Sequence, residues 1–581
     1  GDNGSIVAYT KDVFFYPSRC SRERYFLVVH LPTQAAIDSW KEYRLSYNPH
    51  YQVAHITRAF SKSAGGKETP ADIERGMVVF KTLQPGDHIV LEWTLENHFR
   101  GDMARHVWGE RSFDLPYPVF KSHLRFVTPL EDTIPYQIQG DSLLVTIDTM
   151  QGYRVTTFRR DPYKNPGSES FMLIDPPSSH RVSYSTLPGW GAVVEWYQNL
   201  TENKVEATAE LRDLVDSLCS GVNDPFEKVE RIHRYITGTI RYSFVPFRQS
   251  AWIPQSAGEV LATRIGDCKD MSSLGKSLLD LAGIPSSLVL VNTRDRNSIY
   301  PSYVGPNFNH CILSCTLDGE RLFVDMTDAN LSVKNLPRMD QGAIALIIEE
   351  GVDSLAHLPV DTDEARLISR TLRTTVNEEG ALTRRVKTSK IGLFAAHMRD
   401  GYRFQAPKER VKRLRSALAD DWPDVGIDTL LLEKLDTLSD TVTYEYRYGV
   451  ANGVSLSGNT AIVPLNIPDR LTGEHIPNEE RRHYDVDMTH TWFGIGTFIT
   501  AGTLEVPQGW RLINRPEPVR LDAKNADYTL EVAQEGSVVT FRRTARFNYA
   551  TPITTDEYPA LRQFLSQVAK ADNVQLIFST E

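Results

Sequence analysis

The chain has 581 residues, a formal net charge of −10, 41% hydrophobic and 24% charged residues, and a mean hydropathy of −0.33. That length suggests about three or four globular domains. The absence of a long basic run, with a negative net charge, argues against nucleic acid as a partner, and no stretch reaches the ~18 continuous apolar residues of a membrane-spanning helix.

The five cysteines, Cys20, Cys219, Cys268, Cys311 and Cys315, are too few and too scattered for a disulfide framework or a tetrahedral zinc site. The chain opens GDNGS without an initiator Met and without a signal-peptide pattern, a start compatible with a removed secretion signal.

Residues 1–185 read as β-rich. Ile89, Leu91, Trp93 and Leu95 alternate with polar residues after a Pro85-Gly86 turn. Residues 143–147 and 153–158 are further short strands, and such spacing predicts an antiparallel sandwich. Residues 61–75 and 161–170 read as polar loops. Helical signals begin near Trp190, with helices predicted over 190–200 and 205–218. Asp224-Pro225 then supplies an N-cap and a first-turn proline for a helix whose apolar stripe includes His233, read as a core histidine. Residues 240–244 read as a short strand and 245–255 as a loop holding Trp252. Ser256 and Glu259 form a capping box for a short helix.

The stretch 264–285, RIGDCKDMSSLGKSLLDLAGIP, organises the rest. Asp267 is the expected N-cap, with Asp270 three residues on. Met271, Leu274, Leu278 and Leu281 make one apolar stripe, and Gly283 and Pro285 stop the helix. Cys268 therefore falls in the first turn, where unpaired N–H groups and the helix dipole favour thiolate over thiol. Its neighbours Gly266, Asp267, Lys269 and Asp270 are poor company for a merely buried thiol. Cys311 and Cys315 read as ordinary buried residues.

Residues 287–292 read as a buried strand, and 307–316 with 321–326 as a hairpin about Asp318-Gly319. A two-residue turn sets Leu317 against Glu320 and His310 against Thr327. Asp325 then shares the face of His310, diagonal to it. A helix-borne Cys, a His and a carboxylate together supply a nucleophile, a base and a group that orients the base.

The segments Gly266-Asp267-Cys268-Lys269-Asp270, Phe308-Asn309-His310 and Phe323-Val324-Asp325-Met326-Thr327 resemble the transglutaminase-like superfamily, of papain-like fold. The resemblance is closest to bacterial envelope proteins in which such a core lies between two β-rich domains. It implies a Cys268 nucleophile, a His310 base and an Asp325 orienting group. Met326 stands where the family usually has Pro. In animal transglutaminases an upstream Trp assists at the oxyanion, which makes Trp252 the candidate here beside the backbone N–H of Cys268; an aromatic lid on the core is the competing role for Trp252. No Asp-rich loop suggests a calcium cage, and neither cofactor nor metal is expected.

After 336, residues 342–348 read as a strand, 361–364 as a linker and the remainder as β-rich, with helices over 407–418 and 558–569. Tyr444, Tyr446 and Tyr448 share one face, either a ligand surface or packed sheet. The expected architecture is multidomain: a β-sandwich-like domain (1–190), an α+β papain/transglutaminase-like core (191–355) and a second antiparallel β-rich domain (356–581). The expected activity is acyl transfer on a peptide, protein or peptidoglycan-type amide, with hydrolysis favoured over transamidation. The rival expectation is an envelope scaffold or binding protein with a vestigial core. The resemblance places either in the periplasm or at the cell surface.

Overall fold

A computed structural model describes all residues except 1–2, 19, 48–51, 99–100, 142, 164–166, 175, 177, 244–251 and 297–302. The chain is multidomain and β-rich, with a mixed helix-and-sheet core between two β-rich parts.

The leading part is built on an eight-stranded sheet. Its order is Leu143–Met150, Tyr153–Arg160, Ser122–Pro129, Ser5–Phe15, Ser21–Leu31, Asp87–Asn97, Gln52–Lys62 and Glu68–Pro70. Ile89, Leu91, Trp93 and Leu95 are all buried on one face, as their alternation predicts. The antiparallel order is broken once, where Ser5–Phe15 runs parallel to Ser122–Pro129. The hundred-odd residues between these two strands are long enough for the crossover that parallel pairing requires. The polar segment expected as a loop over 61–75 carries two short strands, Glu68–Pro70 and Asp72–Glu74, whose exposure removes any apolar alternation to read.

The trailing part repeats this plan, again with one parallel pair, Leu367–Val376 beside Ile495–Glu505. Tyr444, Tyr446 and Tyr448 are buried and stack along one strand at 6.1 Å centroid spacings. They are packed sheet, not a ligand surface. The helix Tyr558–Asp572 covers this sheet and brings Asp572 onto Arg543. Arg543 Nε and Nη2 donate to the two Asp572 oxygens at 3.1 and 2.7 Å, with both side chains fully buried. Tyr528 Oη and the Leu471 N–H donate to the same carboxylate at 2.8 and 2.9 Å. Asp572→Ala strands a buried guanidinium and two further donors. It should cost about 3–5 kcal/mol, read as a lowered urea midpoint in the full chain.

In the core, Glu320–Val324, His310–Leu317, Ser286–Asn292, Ile344–Ile347 and Ala356–His357 form an antiparallel sheet in that order. The helices Pro225–Thr239 and Cys268–Leu281 pack their apolar stripes into one cluster with it. Asp224 caps the first of these and Pro225 opens it, while Ser256 and Glu259 form the capping box of the short helix Ala257–Thr263, all as the sequence predicts. The second expected helix is shorter than its pattern, spanning Ala209–Cys219, because Thr208 is the residue that caps it. Of the strand expected over 240–244, Arg241–Tyr242 forms; Phe244 and most of the loop before Trp252 lie outside the described residues.

Cys268–Leu281 approaches the sheet closely through Gly275, where an added Cβ would lie 2.7 Å from Leu313 Cδ1 and 3.1 Å from Met326 Cε. Ser272 Oγ fixes the contact by donating to the Cys311 carbonyl at 3.0 Å. The absence of a side chain at position 275 therefore sets how near the cysteine helix stands to the strand that begins at His310.

Candidate active site

Cys268 is the first residue of its helix and is half-buried. The capping box is reciprocal: the Asp270 N–H donates to Asp267 Oδ1 at 3.3 Å, and the Asp267 N–H donates to Asp270 Oδ2 at 3.0 Å. Lys269 Nζ pairs with Asp267. Asp270 has a second task. Its two oxygens accept from the backbone N–H and the Nε2 of Gln255, each at 2.7 Å. The segment just after Trp252 is thereby tied to the start of the cysteine helix.

Trp252 packs edge-on against Trp196 and Tyr197, with centroids 5.5 and 6.4 Å away. Its indole Nε1 is buried with no hydrogen-bond partner among the described residues. Tyr197 reaches the cysteine itself: burial, then the sulfurs of Cys311 and Cys268, push its hydroxyl well up. Tyr242 is likewise raised by burial and then by Cys268, to which it hydrogen-bonds. Neither tyrosine was legible as a site residue, because each is distant in sequence and lies in no motif.

The hairpin forms about Asp318 and Gly319, with φ of 49° and 86°, the left-handed pair that a two-residue turn requires. Leu317 pairs with Glu320 and Leu313 with Val324, in the expected register. The ladder stops there, and beyond it His310 Nε2 donates to Asp325 Oδ2 at 3.0 Å. Asp325 Oδ1 accepts from the N–H and hydroxyl of Thr327, each at 2.7 Å. With Nε2 committed to Asp325, Nδ1 is the ring atom left for Cys268.

Burial works against a charged His310. The Asp325 charge and hydrogen bond, and the hydrogen bond to Cys268, outweigh it and hold the imidazole well above its usual value. Burial likewise opposes a charged Asp325, yet His310 and Thr327 pull its carboxyl down to about 2. His233 is buried, and its Nε2 lies 3.0 Å from the Asp325 carbonyl oxygen. Burial, only partly offset by Asp325, lowers its imidazole to about 4, so His233 is the neutral core histidine its stripe predicts.

Cys268, His310 and Asp325 thus occupy one corner of the core, where helix start meets strand end. Two features there had no sequence signal: the Gln255–Asp270 tie, and a second buried acid, Asp340, near His310. A cavity of about 580 Å³ lies elsewhere, among Met172, Arg294, Arg338, His490 and Trp492, and none of Cys268, His310 and Asp325 lines it. Among the described residues no helix is long and apolar enough to cross a membrane.

Residues 212–326, which include Cys268, His310 and Asp325, match the transglutaminase-like superfamily. Residues 459–578 match a domain of unknown function represented among solved structures. No curated protein matches. A candidate protease from Parabacteroides distasonis ATCC 8503 superposes with a TM-score of 0.68 over 99% of each chain at 14% identity, a likeness of fold across the whole length. A candidate cysteine protease from Cytophaga hutchinsonii (TM-score 0.19, 15% identity) covers 38% of this chain and 75% of that one. The periplasmic domain of TgpA from Pseudomonas aeruginosa (TM-score 0.17, 14% identity) covers 48% of this chain and 86% of that one.

Proposed function

From a core that is a transglutaminase-like domain between β-rich parts, we propose that this chain performs thiol-dependent acyl transfer on amide or peptide substrates. The observation that carries the reading is the 3.0 Å bond from His310 to Asp325 beside a cysteine at a helix start. Cys268 Sγ attacks the amide carbonyl carbon as the thiolate, its proton already held by His310. The resulting oxyanion takes hydrogen bonds from the Cys268 backbone N–H and from Trp252 Nε1. The C–N bond breaks as His310 returns the proton to the leaving amine, leaving a thioester. Water then attacks, His310 takes its proton, and the carboxylic acid departs as the thiol is restored.

Water is the favoured acceptor because it needs no second binding site, which makes the protein a cysteine peptidase or amidase. The substrate class is a peptide, protein or peptidoglycan-type amide. The residue resemblance to bacterial envelope proteins supports a place in the periplasm or at the cell surface, and we propose 1–190, 191–355 and 356–581 as the three domains.

The test is turnover of a peptide and peptidoglycan-fragment library by the full chain, with and without an added primary amine, read by mass spectrometry. Cys268→Ala should abolish product formation while circular dichroism and the thermal midpoint stay unchanged. Amine-linked product would move the reading to a transglutaminase. Turnover that survives Cys268→Ala would sink it, and equal partner binding by both proteins with no turnover would favour the scaffold.

A further inference from the structure

The hairpin and the turn before the next strand bury one acid more than a Cys–His–Asp site needs. Asp340 is wholly buried, and its Oδ2 stands 3.8 Å from His310 Nε2. Polar atoms of His310, Asp325 and Asp340 all lie within 4.8 Å of one another. Asp325 is fully engaged, by Thr327 on one oxygen and His310 on the other. Asp340 is the opposite: neither of its oxygens receives an N–H or O–H from any described residue.

Two ionised carboxylates against a single imidazolium would leave a buried negative charge with no donor and no counterion. Paired buried acids avoid this by keeping one proton between them. From this geometry we infer that Asp340 is a carboxylic acid at neutral pH, donating its O–H to Asp325, and that it is a positioning residue for the His310–Asp325 pair.

The groups facing Asp340 agree. Burial and the Asp325 charge push its carboxyl well up, the positive charge of His310 pulls the other way, and Asp295 adds to the rise. The nearby Arg294 and Arg338 do not neutralise it; their guanidiniums are spent on Asp487 and on the His490 carbonyl oxygen. His233, which holds the Asp325 carbonyl oxygen, is neutral.

The consequence is chemical. A hydrogen bond given to Asp325 drains part of its basicity and so weakens its stabilisation of the imidazolium through Nε2. The proton that His310 takes at Nδ1 must leave for the departing amine in each cycle, and beside an Asp325 without Asp340 the ring would retain it too tightly. The charge count is also smaller: one thiolate, one imidazolium, one carboxylate and one neutral acid leave a net charge of −1, where an ionised Asp340 would make it −2.

This inference rests on the acyl-transfer reading for its purpose, but its test needs no substrate, so the two can fail separately. The first readout is infrared difference spectroscopy at neutral pH on the full chain. A protonated-carboxyl C=O band should be present in the native protein and absent from Asp340→Asn. The second is the His310 titration midpoint, from ¹³C NMR of imidazole-labelled protein with His310→Ala for assignment. In Asp340→Asn the amide donates in place of the acid, and the midpoint stays where it is. In Asp340→Leu the donor is gone, and the midpoint rises by about one pH unit. An ionised Asp340 gives the opposite sign: Asp340→Asn then removes a charge that supported the imidazolium, and the midpoint falls. That fall, a missing acid band, an unmoved midpoint in Asp340→Leu, or about one zinc per purified chain would each overturn the proposal. If Asp340→Leu fails to fold, the band and the Asp340→Asn midpoint still decide.

Discussion

His310→Ala should leave Cys268 with the reactivity of an ordinary thiol. In the native chain, iodoacetamide should alkylate Cys268 at nearly the same rate at about pH 6 as at pH 8, because His310 accepts the thiol proton and keeps it. Its imidazole is held well above the usual value by Asp325 and Cys268 against the opposing effect of burial. Without the imidazole no base takes the thiol proton, and at about pH 6 the rate should fall on the order of 100-fold. Amide turnover should fall further, by roughly 10²–10⁴, because the same imidazole also protonates the leaving amine. Cys268→Ala sets the background for alkylation by the other thiols. A pH profile identical in the native chain and in His310→Ala would mean that the thiol and imidazole are not coupled, and the scaffold reading would take over.

The same shifts carry a stability consequence. His310 binds its proton more tightly when folded, so its contribution is complete below ~6.5 and is lost as pH rises through the folded value. Asp325 is depressed to about 2, so its contribution is complete above ~3.9 and is lost as pH falls through about 2. The pair therefore supports the fold throughout the weakly acidic range. The stability gap between the native chain and His310→Ala should be widest there and should narrow in strong acid and at high pH.

How much of this was legible depended on how local the determinants are. The cysteine helix could be read because its cap, its stripe and its stop all lie within twenty residues, and both ends fall where expected, at Cys268 and Leu281. The juxtaposition of His310 and Asp325 was legible for a different reason. Asp318-Gly319 fixes a two-residue turn, and a fixed turn propagates its register along both strands. The helix Leu393–Tyr402 was not legible. It begins at Gly392, with φ of 63° and no side-chain cap, so it lacks the start signal that Asp224, Ser256 and Asp267 give the others. Asp340, Tyr197 and Tyr242 were hidden for a third reason. Each reaches the site only through tertiary packing, from segments whose local patterns say nothing about Cys268 or His310.

Trp252→Phe separates catalysis of the chemical step from formation of the ion pair. The substitution keeps an aromatic ring against Trp196 and Tyr197 and deletes one N–H. In the native chain that N–H is buried without a partner among the described residues, a costly state unless a reacting oxygen completes it. If its partner is the oxyanion of the tetrahedral intermediate, kcat should fall by roughly 10²–10³ with KM little changed. Iodoacetamide alkylation forms no oxyanion, so its rate and pH profile should be the same in Trp252→Phe and the native chain. A tryptophan that only covers the core predicts a different result: Phe fills most of the same volume, and kcat should change less than about threefold. The Gln255–Asp270 tie explains why the position of one indole depends on the helix cap. Asp270→Asn would loosen the segment after Trp252 and the start of the Cys268 helix together, so it should lower kcat and distort the alkylation profile in the same variant. The substitution at Trp252 moves only the first.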